Sequence, residues 1–362
     1  MKQRLLSLDV LRGLTVAAMI LVNNGWNHDH YAPLRHVDWN GLTVCDLVFP
    51  FFLFMVGVSI YISMSRHAGE PGMVKKILKR TFLMFIIGVA LHAWDMLING
   101  DGADIPTKLR VWGVLQRIAL SYCFASLFFN LFKGKYLWHA IISLLVIYAI
   151  ILIVGNGYSE NPEENWLAKV DRTLFGNHIY QKVLAGKTPV DPEGLVGTIA
   201  GITHALVGVV CGRAIMTAKE NKEKIMQLLL IAVSIGLVGY LLTFSFPLNK
   251  RIWSPSFTLV TCSMAASLLG IFLYIIDIKG HTRWCRIFQM FGMNALFLYI
   301  FSEMIPSVFG TLGVTQGIHD FWTMIFGETN IHVISLFGAL TIVALVALLA
   351  WILDKKKIYI KI

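Results

Sequence analysis

Charge is what this chain has least of. Only 14% of its 362 residues are Asp, Glu, Lys or Arg, against about 25% in soluble domains. The acidic sign is the scarcer, 21 residues against 31 basic, for a formal net charge of +10. Hydrophobic residues make up 56%, and the mean hydropathy is +0.67. That balance excludes a soluble globular domain and implies a polytopic membrane protein. The basic excess does not mark a nucleic-acid binder, because it is spread over short segments between apolar runs and forms no single patch. Cysteine is sparse: Cys45, Cys123, Cys211, Cys262 and Cys285 are scattered, with no CxxC. This argues against a zinc site and a disulfide framework, and leaves buried small hydrophobes as their role. Internal repeats and low-complexity tracts are missing, and with them the inverted-repeat signature of transporters. There is no Walker A motif, no GxGxxG opening a helix after a strand and no GxSxG. A cleavable leader is not expected, since the first apolar run carries Asp9 and Arg12 at its start and ends in Asn23-Asn24.

What is present is a series of ten apolar runs, 8–26, 47–64, 77–95, 112–132, 136–154, 195–216, 226–246, 256–277, 288–308 and 332–353. Each is long enough to cross roughly 30 Å of hydrocarbon as a helix. The sixth, rich in glycine, is the weakest, and an eleventh element is a candidate in 310–330. The expected fold is all-α: one membrane domain over 1–362. Basic residues recur on one side of it. They are Lys2, Arg4 and Arg12; Arg66, Lys75, Lys76, Lys79 and Arg80; Lys133 and Lys135; Arg213, Lys219, Lys222 and Lys224; Lys279, Arg283 and Arg286; and Lys355, Lys356, Lys357 and Lys361. By the positive-inside rule both termini are cytoplasmic. The long 155–194 segment, which carries Glu160, Glu163, Glu164, Asp171, Asp191 and Glu193, falls on the other side. It reads either as a functional loop or as a plain surface excursion. The cluster from Arg66 to Arg80 is explained by topology and anionic lipid, or as a dock for a phosphorylated cytosolic donor.

Polar residues gather where the first and second runs meet the non-cytoplasmic side: Asn23, Asn24, His28, His30, His36, Asp38, Asn40, Thr43 and Asp46. Such residues beside hydrocarbon are costly. A histidine there can move a proton near neutral pH, a carboxylate can orient it, and an asparagine can donate to a developing oxyanion. His28 and His30 are expected to be solvated loop residues; their i,i+2 spacing does not support a metal site. Arg12 follows Asp9 by three residues, so the two share a helix face. Arg117, inside an apolar run, should face the bundle interior, either in a buried structural pair or against an anionic ligand. Asn294 and Glu303, nine residues apart in the ninth run, do not share a face closely, and helix–helix hydrogen bonding is the simpler reading for each. Asp191-Pro192-Glu193-Gly194 opens the sixth run, where acidic residues are favoured by the helix dipole alone.

Six blocks, in order, resemble one family. They are Ser7-Leu8-Asp9-Val10-Leu11-Arg12-Gly13 followed by Val22-Asn23; Arg35 to Thr43 with Asp46-Leu47-Val48-Phe49-Pro50; Val114-Leu115-Gln116-Arg117; Asp191-Pro192-Glu193-Gly194; Pro247-Leu248-Asn249-Lys250-Arg251-Ile252-Trp253-Ser254; and Gly292-Met293-Asn294. The family is that of the transmembrane heparan-α-glucosaminide N-acetyltransferases and their bacterial relatives. The resemblance implies that acetyl-CoA binds from the cytosol and its acetyl group goes to the amine of a glucosamine-type sugar on the far side. It matches His36 to the family's active-site histidine, Asn23 to a neighbouring polar residue that would polarise the thioester carbonyl, and Asp46, ahead of Asp38, to the residue orienting the histidine. Arg12, Arg117, Trp253, Ser254 and Asn294 are put forward as contacts for acetyl-CoA, with no metal. The expectation departs from the lysosomal members in its ten spans against eleven and in lacking their extra N-terminal luminal region, and a bacterial-type member in the inner (cytoplasmic) membrane is expected. A homodimer is a further expectation. The competing classes are a sugar or anion transporter and an O-acyltransferase of a surface polysaccharide. The block from His36 to Pro50 beside Asn23 favours group transfer over transport.

Overall fold

A chain segment in hydrocarbon must satisfy its own backbone polar groups, and an isolated apolar run does so as a helix. The computed structural model describes residues 5–26, 29–65, 67, 70–132, 134–180 and 190–360. Of the residues singled out above, Lys2, Arg4, His28, Arg66, Lys133 and Lys361 lie outside the described residues. Within the described residues the regular structure is entirely helical. In chain order the helices are α1 (Leu6–Asn23), α2 (Val44–Met64), α3 (Met73–Ile98), α4 (Ile105–Lys108), α5 (Val114–Phe132), α6 (Leu137–Val154) and α7 (Trp166–Phe175). They continue with α8 (Thr198–Thr217), α9 (Asn221–Leu242), α10 (Pro255–Phe272), α11 (Cys285–Met293), α12 (Ala295–Thr311), α13 (Val314–Phe326) and α14 (Ile331–Lys355). Among the described residues, nine helices are long and apolar enough to cross a membrane, and α11 with α12 makes a tenth if the bent pair is one span.

The glycine-rich sixth run becomes α8, the centre of the bundle. Its most apolar 18-residue stretch is 83% buried, against 11% for α3 and 22% for both α6 and α9. Small residues are the reason. A Cβ on Gly208 would lie 2.1 Å from the Phe54 carbonyl oxygen, and one on Gly57 2.0 Å from that of Ala205. Two backbones approach that closely only without side chains between them, which is how helices associate in lipid. The peripheral helices turn large apolar side chains outward, among them Phe82, Ile86, Ile142, Ile153, Val233 and Leu241. An outward apolar belt around a polar-containing interior is the pattern of an integral, multi-pass membrane protein.

The ninth run departs from the single span expected over 288–308. The helix breaks at Asn294, and α11 and α12 meet at 83°. The Asn294 amide is committed elsewhere: it donates to the Ile358 carbonyl (3.0 Å) and accepts from the Ile360 amide (2.9 Å), fastening the segment after α14. The candidate element in 310–330 is present as α13, 13 residues long. At 1.5 Å per residue it reaches about 20 Å, short of a crossing.

Contacts between helix ends define two faces. At one, the N-terminus of α2 meets the turn before α10: the Gly41 amide donates to the Leu248 carbonyl (2.8 Å) and Asn249 Nδ2 to Asn40 Oδ1 (3.1 Å). The segment after α6 joins there, Trp39 Nε1 donating to the Tyr158 carbonyl (3.2 Å) and the Tyr158 hydroxyl to that of Pro247 (3.1 Å). At the other face, the amides of Leu6 and Ser7 donate to the Asp277 carboxylate, and the Arg213 guanidinium donates to the Gly134 carbonyl.

Candidate active site

Helix α2 begins at a capping box. Thr43 is the N-cap, and Asp46 at N3 reaches back. Asp46 Oδ2 accepts from the Thr43 amide (3.1 Å) and lies 2.9 Å from the Thr43 hydroxyl. This arrangement satisfies helix-end donors and fixes the carboxylate in one orientation. The other oxygen, Oδ1, is then aimed out of the helix end at His36 Nδ1, 2.7 Å away. Asp46 is 1% exposed while the His36 side chain is 52% exposed. The buried partner therefore fixes a histidine that an external molecule can reach. A carboxylate on Nδ1 selects the tautomer with the proton there and leaves Nε2 as the basic atom.

The turn before α10 supplies a cation. Lys250 Nζ lies 3.2 Å from His36 Nε2, 3.0 Å from Nδ1 and 3.6 Å from Asp46 Oδ1. Cys45 completes the near surroundings, its sulfur 3.1 Å from Nδ1. The turn is held tightly. Asn249 Oδ1 accepts from the Ile252 amide (3.1 Å), and the Ser254 amide donates to the Asn249 carbonyl (3.0 Å). Trp253 sits at φ +52°, a left-handed conformation that costs a bulky residue about 1–2 kcal/mol. The indole is 1% exposed, and rings of Phe49, Phe257 and His204 surround it with centroids 5.0, 5.3 and 5.8 Å away. Burial offsets the backbone cost. Ser254 is the N-cap of α10, its hydroxyl accepting from the Phe257 amide (3.3 Å). Both residues hold the turn that presents Lys250.

A second polar region lies on the other side of α2. A cavity of about 380 Å³ is lined by Arg12, Ser59, Ser63, Arg80, Tyr122 and Ile360 among others. Arg12 donates to the Ser59 hydroxyl (2.7 Å) and lies 3.6 Å from Asp9; the Arg80 guanidinium stacks over the Tyr122 ring at 4.7 Å. Phe52 also lines it, six residues from Asp46, or about 9 Å along α2.

Against this geometry stand three similarities. The family model described as heparan-alpha-glucosaminide N-acetyltransferase, catalytic, matches residues 4–180. The chain is 28% identical over 414 aligned positions to the heparan-alpha-glucosaminide N-acetyltransferase of Mus musculus, and 28% identical over 414 to that of Homo sapiens. Each alignment covers 99% of this chain and 60% of the relative. Residues 4–180 are thus similar to the catalytic part of that family, and nearly the whole chain is similar to the two relatives. It spans about three-fifths of the length of the curated relatives it matches.

The stretch matched to the family's catalytic model includes His36, Asp46, Asn23 and Arg117. The structure brings the first two together and distributes the others. Asn23 Nδ2 donates to Glu303 Oε1 (2.9 Å), and among the described residues no hydrogen bond joins it to His36. Arg117 is fully buried at the His36 end of the bundle, donating to the Gly194 carbonyl (3.0 Å) and lying over Trp253 at 5.2 Å. Neither it nor Asn294 lines the cavity that holds Arg12, although Met293 and Ala295 beside Asn294, and the Ile360 that Asn294 holds, do.

Asp191 and Glu193 do not act as the dipole caps expected from their position. The N-cap of α8 is Gly197, with no side-chain cap. Both carboxylates instead hold Arg110, whose Nη2 lies 2.5 Å from Asp191 Oδ1 and 2.8 Å from Glu193 Oε2. Burial alone would lower the Arg110 pKa; the two carboxylates reverse that and raise it above its ordinary value. Glu193 is held below its ordinary value by Arg110 and Arg117 despite burial. The long segment is thus clamped to the bundle.

In the sequence Lys250 stands inside a motif with no role of its own, while Arg80 belongs to the basic cluster read as topology and anionic lipid or as a dock for a phosphorylated cytosolic donor. A lysine in a loop reads as topology, and only the fold places it on His36.

Proposed function

We propose that this chain is an acetyl-CoA-dependent N-acetyltransferase that passes an acetyl group through the membrane to the amine of a glucosamine-type sugar. The observation that carries the reading is the His36–Asp46 pair: a reachable imidazole on a buried, capped carboxylate at the end of a membrane-spanning helix. The names of the mouse and human relatives supply the acceptor class. Arg12 and Arg80, in the cavity on the far side of α2, suit the phosphates of acetyl-CoA, as arginine pairs with phosphate in bidentate fashion. The basic residues at this end support a cytoplasmic location for it and for both termini by the positive-inside rule. The inner membrane of a cell is the corresponding location.

The chemistry follows from where the proton sits. With Nδ1–H bound to Asp46, Nε2 is free to take a proton from the acceptor amine as its nitrogen attacks the thioester carbonyl carbon. The C–S bond then breaks, and CoA leaves as thiol with that proton. Alternatively Nε2 attacks first and carries the acetyl group to the amine. Asn23, expected to polarise the thioester carbonyl, donates its amide to Glu303 instead, while Trp253 and Ser254 support the site by holding its second wall.

Thiol release from acetyl-CoA by the detergent-purified protein, with and without glucosamine, tests this. The expected result is glucosamine-dependent release that falls at least about 10²-fold in His36→Ala, with unchanged thermal unfolding. Release equal in His36→Ala and wild type would remove His36 from the chemistry. No release, with no stabilisation by acetyl-CoA, would turn the reading toward transport.

A further inference from the structure

The geometry points to Lys250 as a further catalytic residue, whose ammonium stabilises the oxyanion formed when the thioester carbonyl is attacked beside His36. The inference rests on the acetyltransferase reading above and adds a residue and a role to it.

Three observations support it. First, position: Lys250 Nζ is 3.2 Å from His36 Nε2, the atom left basic by Asp46. An acceptor amine hydrogen-bonded to Nε2 would sit about 3 Å from it. The carbonyl carbon it attacks is one bond further, and the carbonyl oxygen one bond beyond that. The oxyanion must therefore develop within a few ångströms of where Nζ stands. Second, tethering: Asp46 Oδ1, 3.6 Å away, holds the ammonium at 17% side-chain exposure. A cation kept out of bulk water acts on a developing charge far more strongly than an exposed one. Third, construction: the turn that presents Lys250 is pinned to the His36 loop by Asn249 to Asn40 and by Gly41 to Leu248. It also holds Trp253 in a left-handed conformation. Backbone cost concentrated next to a reactive cluster marks a geometry that the fold keeps.

In the resting site the ammonium lies against the imidazole, 3.0 Å from Nδ1 and 3.2 Å from Nε2. When the substrates enter, the amine hydrogen-bonds to Nε2 and Lys250 donates to the carbonyl oxygen. The amine lone pair forms the new C–N bond, and the carbonyl π pair moves to oxygen beside Lys250. His36 Nε2 takes the amine proton. Collapse of the oxyanion re-forms the carbonyl and expels the CoA thiolate, which takes the proton from the imidazolium. Lys250 keeps its own protons throughout. The role is the same if Nε2 is the attacking atom, because the oxyanion sits on the same carbonyl.

Steady-state kinetics of wild type, Lys250→Met, Lys250→Gln and Lys250→Arg, each checked by thermal unfolding, test the assignment. Removing one oxyanion donor costs about 10²–10³ in kcat. The expected result is a loss of that size in Lys250→Met and Lys250→Gln. KM for acetyl-CoA and glucosamine should stay within about threefold, melting should be near wild type, and Lys250→Arg should recover at least about tenfold of the loss. A kcat within about threefold of wild type in Lys250→Met or Lys250→Gln overturns it. So does an equal loss in Lys250→Arg together with a large drop in melting temperature, which is the mark of a structural role. A wild type without glucosamine-dependent turnover removes the underlying reading, and the inference with it. An active wild type beside an equally active Lys250→Met removes the inference alone.

Discussion

Asp46 serves two functions with two oxygens. Oδ2 caps α2 and Oδ1 orients His36. Asp46→Asn separates them, because an amide oxygen can still cap the helix but an amide nitrogen cannot accept from Nδ1–H. The cap is worth about 1 kcal/mol, so stability should fall by no more than that. Transfer should fall by about 10² or more, through the wrong tautomer or orientation of His36. Matched unfolding and CoA-release measurements decide it, and losses of similar size in both would mean that Asp46 is only a cap. His36 and Asp46 were legible in the sequence because a polar block poured into an apolar run has no structural excuse. Lys250 was not, because its relation to His36 spans 214 positions and exists only once α2 and α10 share an end. Asn23 shows the opposite case: its polarity was legible, while its partner, Glu303, lay in a run whose helix breaks and turns.

At the scale of elements, the described part of the segment between α6 and α8 is a docked structure. Helix α7 is N-capped by Asn165, which accepts from the Leu167 amide (2.9 Å). It brings Asp171 to the start of the α8 segment, where Oδ1 accepts from the Leu195 amide (3.0 Å). Asp171 is 2% exposed, and burial pushes its pKa up to about 6, even against the Leu195 hydrogen bond. An acid whose pKa is raised by folding holds its proton more tightly in the folded state. Stability from this group is therefore full below about pH 4 and lost as pH rises through about 6, by up to ~3 kcal/mol. Asp171→Asn keeps an acceptor for Leu195 and removes the titration. It should melt higher than wild type at pH 8, with the advantage shrinking to nothing by pH 4; an advantage independent of pH would contradict the assignment. The element scale also shows where periodicity and hydropathy mislead. The glycines that weaken the sixth run as an isolated helix are what let α8 pack against α2. The bend at Asn294 is set by a partner segment more than sixty residues away, beyond any local signal.

At the scale of the whole molecule, the two polar regions lie toward different ends of α2. His36, Asp46 and Lys250 stand at its N-terminus. The cavity of Arg12 and Arg80 opens along its later turns, on the end rich in basic residues. The number of helices and the segregation of basic segments followed from composition and charge, since both are counted directly along the chain. The cavity did not, because Arg12 and Arg80, each a candidate donor contact by itself, share one site only once α1, α2, α3 and α5 are packed together. If donor and acceptor enter from opposite ends, transfer has a direction. The most direct measurement uses sealed proteoliposomes with glucosamine trapped inside and labelled acetyl-CoA added outside. The account predicts labelled N-acetylglucosamine accumulating inside while CoA thiol appears outside, with neither formed by His36→Ala. Product that forms only when both substrates are on the same side of the membrane would contradict it.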